Sequence, residues 1–166
     1  MTFASATNFF YVADVAQFVG SSSDEILGRI AANSSFAVDT TQRDAWVDQI
    51  EVLKPSLAGL KGRIFLEFIV PRIGSRIDAV LISGPAIFVI EFKIGEKEFR
   101  RGDVNQVWDY ALDLKNFHKA SHTASIIPIL VATDALGSDT SLSESHADGV
   151  FPPVRCNAGG LRHLVQ

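Results

Sequence analysis

Between Arg63 and Lys93 three runs rich in Ile, Val and Phe follow one another: Arg63 to Val70, Arg76 to Ile82 and Ala86 to Lys93. Pro71-Arg72-Ile73-Gly74-Ser75 separates the first two and Gly84-Pro85 the last two, both readable as turns. Connections this short suit antiparallel neighbours, so the block reads as consecutive hairpins. Helical signals flank it. Trp46, Ile50, Leu53 and Leu57 recur at helical spacing from Asp44 on, and Pro55, lacking an amide donor, is expected to end or kink that helix near Lys54. Val104, Val107, Trp108, Ala111 and Leu114 form the stripe of a second helix, expected from Val104 to about Lys119. Ile126 to Thr133 reads as a fourth, buried strand. A sheet with helices on its faces buries these stripes, which makes the class α/β or α+β.

The ends carry weaker signals. Ser23 or Asp24 would cap a short helix through about Ala32. Residues 1–43 are expected to be an amino-terminal helical extension, 44–135 the core, and 136–166 a loop-rich segment leading into a further domain. With 47% hydrophobic and 20% charged residues, the chain is not a disordered one. Its longest apolar run, Ile126 to Ala132, is too short to span a bilayer. One cysteine, Cys156, excludes an intramolecular disulfide and suits a reducing compartment. The first basic residue is Arg29, unlike the charged start of a secretory signal, so a cytoplasmic location is expected. A net charge of −4 excludes wholesale coating of nucleic acid but leaves room for a local basic groove. Zinc spacing, a Gly-x-Ser-x-Gly elbow and an ATP-binding Gly-Lys-Ser/Thr loop are all missing.

Chemistry concentrates on the second hairpin. Glu91 and Lys93 share a strand face, roughly 7 Å apart by the strand rise, while Ile90 and Phe92 face the other way. If the hairpin closes symmetrically about Gly84-Pro85, Asp78 lies directly across from Glu91, at a Cβ separation of about 4.5–5.5 Å. Two like charges so placed are destabilising unless something compensates them. A divalent cation with oxygen ligands does so, and Mg²⁺ (or Mn²⁺) keeps positions for water and phosphate. Asp78, Glu91 and Lys93 thus point to metal-assisted phosphodiester hydrolysis. On an ordinary solvated strand the same residues would be ornamental.

Gln106 and Tyr110 lie four apart on the second helix and share a face away from its apolar stripe. Gln106 has a second reading, as the far end of a capping box begun by Asp103. Glu67 is either an outward-facing charge or a further acid for the same site. Arg72, Arg76, Lys97, Arg100 and Arg101 are candidate phosphate contacts on either side of the scissile bond, each with an ordinary surface role as the alternative.

Asp78, Glu91-Phe92-Lys93 and Gln106-Val107-Trp108-Asp109-Tyr110 together resemble the PD-(D/E)XK nuclease superfamily, with a helix motif most like its RecB-like and Cas4-like branch. Pro71 through His118 is similar to the nuclease-like amino-terminal domain of bacterial Schlafen-related superfamily 1 helicases. The resemblance covers about Trp46 to Thr133. It implies a restriction-endonuclease-like core, a mixed four-stranded sheet flanked by helices. It also implies that Asp78, Glu91 and the main-chain carbonyl of Phe92 bind Mg²⁺. Lys93 would orient the attacking water, Gln106 and Tyr110 would position the strand or the water, and Glu67 would supply the extra acid some members place upstream. Ile77 stands where the signature has proline. The expected activity is DNA cleavage by a module or partner of a helicase, with no membrane involved. The alternative is a catalytically weak nucleic-acid-binding or protein-interaction module of the same fold.

Overall fold

A computed structural model describes residues 8–34 and 37–166; residues 1–7 and 35–36 of the expected extension lie outside it. The elements in order are β1 (Tyr11–Asp14), α1 (Val15–Gly20), α2 (Ser23–Asn33), α3 (Thr40–Leu57), β2 (Arg63–Ile69), β3 (Arg76–Ser83), β4 (Ala86–Lys93) and α4 (Arg101–Phe117). A 3₁₀ turn at Lys119–Ser121 leads to β5 (Ser125–Ala132), β6 (Val154–Cys156) and α5 (Leu161–Val165). The class is mixed α/β, as the alternation of stripes requires.

One sheet holds all six strands in the order β1-β2-β3-β4-β5-β6. The first four are antiparallel neighbours, β2–β3 and β3–β4 through short turns and β1–β2 across the intervening helices, and β4, β5 and β6 run parallel. The β4-to-β5 crossover is supplied by α4, since parallel neighbours need such a connection. Alternation along β4 then feeds two cores. Ile87 and Val89 pack beneath Val107, Ala111 and Leu114 of α4. Phe88, Ile90 and Phe92 face the opposite layer of α1, α2, α3 and α5, with Trp46, Ile50 and Leu53.

The expected four strands are the centre of a wider sheet. The amino-terminal stretch, expected to be helical, contributes β1 at one edge; the carboxyl-terminal stretch, expected to be loop-rich, contributes β6 at the other, and α5 to the core. Several boundaries also move. The cap of α2 is Ser22, whose side chain accepts from the Glu25 amide at 3.1 Å. Helix α3 runs past Pro55 to Leu57. A proline this close to the end withholds one bond only, and Arg162 of α5 donates to the carbonyls of Pro55 and Ala58 at 2.7 and 3.2 Å. Helix α4 begins three residues early, because the Arg100 carbonyl accepts from both Asp103 and Val104 amides at 3.0 Å. Among the described residues no helix is long and apolar enough to cross a membrane.

Candidate active site

The β3–β4 ladder starts at Ser83 facing Ala86 and runs in register to Ala79 facing Ile90. One residue further, side chains replace the backbone pairing. The Phe92 amide donates to Asp78 Oδ2 at 2.9 Å, and the Asp78 amide points at Glu91 Oε2 from 3.5 Å. The symmetrical turn therefore brings Asp78 and Glu91 together where the two strands begin to part. Glu91 is buried and Asp78 half-buried. Burial raises the pKa of both carboxyls, and the Asp78 charge raises Glu91 further; the Phe92 amide and the Lys93 ammonium oppose the rise at Asp78. Crowding and burial thus make joint ionisation of the two carboxyls costly, with Lys93 the nearby charge that opposes the rise at both.

Lys93, at the end of β4, sits beside the pair under α4. Its Nζ donates to Gln106 Oε1 at 3.0 Å and lies 3.7 Å from Asp103 Oδ1. Gln106 Nε2 in turn donates to Tyr110 Oη at 2.9 Å. Because α4 is capped by Arg100, Asp103 lies inside its first turn, which overturns the capping-box reading of Gln106. Burial and then the Glu91 charge raise the Tyr110 pKa, and its side chain lines the same cleft as the two carboxylates. Phe10, Ile69, Gly74 and Arg76 join Asp78, Glu91 and Tyr110 around a cleft of about 470 Å³. A smaller cavity of about 310 Å³, walled by Phe9, Phe65, Phe68 and Leu114, contains no carboxylate.

Glu67 is neither outward-facing nor part of the pair. It is 1% exposed, accepts from Trp46 Nε1 at 3.0 Å, and its Oε2 lies 2.8 Å from Arg76 Nε. Burial and the Asp78 charge push its pKa up to about 7 against the pull of Arg76. Among the described residues no three His, Cys, Asp or Glu side chains converge as a metal-ligand set. Of the other candidate phosphate contacts, Arg72 is exposed in the β2–β3 turn, and Lys97 and Arg101 are exposed before and at the start of α4. Arg100 pairs with Glu96 at 3.2 Å.

Two contributors escaped the sequence reading. Asp103 was legible in principle, three residues before Gln106 and so on the same helical face. Trp46 gave no signal beyond that of a core residue. No protein-family model matches the chain, and no curated protein matches it.

Proposed function

We propose that this chain is a Mg²⁺-dependent nuclease domain with a restriction-endonuclease-like core, hydrolysing phosphodiester bonds in DNA as a module or partner of a helicase. The observation that carries this reading is the pairing of half-buried Asp78 with buried Glu91, with Lys93 held beside them by Gln106. The donor chemistry fits a hard divalent ion: two carboxylates whose burial makes their joint ionisation costly gain most from a cation between them. Asp78, Glu91 and the Phe92 carbonyl would hold Mg²⁺ or Mn²⁺. The chemistry such an ion supplies is Lewis-acid polarisation of the phosphoryl oxygens.

The chain's own groups do the rest. Lys93 brings an ammonium group beside the carboxylates, where it orients the attacking water and stabilises negative charge as it builds on phosphorus-bound oxygen. Gln106 fixes that ammonium through its carbonyl, and Tyr110 fixes Gln106. Arg72, Arg76, Lys97, Arg100 and Arg101 would hold phosphates flanking the scissile bond.

The test is cleavage of labelled single- and double-stranded DNA in Mg²⁺, Mn²⁺ and chelator, by the native chain and by Lys93→Ala. Metal-dependent cleavage that Lys93→Ala reduces by roughly 100-fold or more is expected. Equal cleavage by both would remove Lys93 from the mechanism. DNA binding that persists in chelator, with no product under any metal, would favour the binding-module alternative.

A further inference from the structure

We infer that Glu67 is a positioning residue that aims the Arg76 guanidinium into the carboxylate cleft as the arm gripping a substrate phosphate. The inference rests on the nuclease reading for its substrate but on separate residues for its geometry.

The backbone provides the first observation. Glu67 has φ +54°, a left-handed conformation that a long side chain seldom holds without a compensating role. Regular alternation would send it to the α4 face with Phe65, the face that Glu91 shares. Instead Leu66 and Glu67 both turn toward α3, where Glu67 meets Trp46. The left-handed residue thus turns the acid onto Trp46 while it stays within reach of the Asp78 charge.

The second observation is what the diverted acid does. One oxygen accepts from the Trp46 indole, while the other makes no hydrogen bond and meets Arg76 only as an ion pair, 2.8 Å from its Nε. The Arg76 contact runs through Nε and its side chain remains 42% exposed, so the terminal nitrogens stay open to a ligand. The guanidinium carbon also stands 5.9 Å over the Phe10 ring, and both residues line the cleft with Asp78 and Glu91. An untethered arginine beside two carboxylates would pair with them and fill the positions a metal needs. Tied to Glu67, it presents a planar fork suited to phosphate oxygens.

The experiment uses fluorescein-labelled single-stranded DNA, with anisotropy in chelator across a salt series and cleavage kinetics in Mg²⁺. Glu67→Gln keeps an acceptor for Trp46, and retained near-ultraviolet dichroism confirms its fold. Arg76→Ala should weaken binding on the order of tenfold and reduce the salt slope by about one. Glu67→Gln should weaken binding several-fold, raising KM more than it lowers kcat, and should add nothing in the Arg76→Ala background. Arg76→Lys, which keeps charge but loses the Nε anchor, should bind like Arg76→Ala. Additive effects, a kcat loss at unchanged binding in Glu67→Gln, native affinity in Arg76→Lys, or no DNA binding by the native chain would each overturn the inference. Non-additive binding effects in a chain that never cleaves would instead sink the nuclease reading and leave the positioning role standing.

Discussion

Gln106 connects the ammonium of Lys93 to the hydroxyl of Tyr110, so it is the residue whose loss should be felt without touching a carboxylate. In Gln106→Ala, Lys93 keeps only Asp103 at 3.7 Å and swings free of its amide anchor. Single-turnover cleavage should fall by roughly 10–100-fold, the cost of misplacing a catalytic group by about an ångström. Tyr110→Phe should cost less, since it removes only the hydroxyl behind Gln106. Cleavage by the Gln106→Ala variant as fast as by the native chain would show that Lys93 needs no anchor. The facing of Asp78 and Glu91 was legible, because a two-residue turn sets register by counting outwards. The destination of Glu67 was not. It depends on the sign of one φ angle, which no property of a glutamate side chain announces.

How β2 joins β3 is decided just before its first residue. Gly62 precedes it with φ +151°, and a Cβ there would stand 2.1 Å from the Ile82 carbonyl oxygen. Its own carbonyl accepts from Val15 at 2.9 Å, tying the junction to α1. Gly62→Ala should therefore destabilise the fold by about 1–3 kcal/mol, read as a lower urea midpoint. An unchanged midpoint would mean that β2 and β3 can part enough to admit a methyl group. Strand β4 was legible to the residue because its apolar alternation and its turn agree. Helix α3 was not, because a proline's effect depends on what satisfies the carbonyls around it, and that partner, Arg162, lies at the other end of the chain.

Three carboxyls with raised pKa values, Glu67 and Glu91 buried and Asp78 half-buried, give the folded molecule a distinctive response to pH. Glu67, Asp78 and Glu91 bind protons more tightly folded than unfolded. Their contribution is therefore complete below the ordinary carboxylate range and is lost as pH rises through about 7 for Glu67, and beyond it for Glu91. In chelator, the melting temperature should fall over that window, by an amount on the order of a few kcal/mol in stability. Mn²⁺ or Mg²⁺ added at the alkaline end should restore it, and Asp78→Asn with Glu91→Gln should flatten the profile. A flat native profile would contradict the burial of these acids; restoration by neither ion would contradict the proposed metal site.

Alternation, helical stripes and short turns are properties of neighbours within a few residues, so the central strands, the two long helices and the carboxylate pair could be read from the chain directly. The edges of the sheet could not. Strands β1 and β6 are only four and three residues long, too short to carry a period. They are strands because β2 and β5 offer unpaired amides and carbonyls that must be met. The same holds for the Trp46–Glu67 bond and for Arg162 on α3, where each bond joins residues remote in sequence and forms only once the fold has brought their elements side by side.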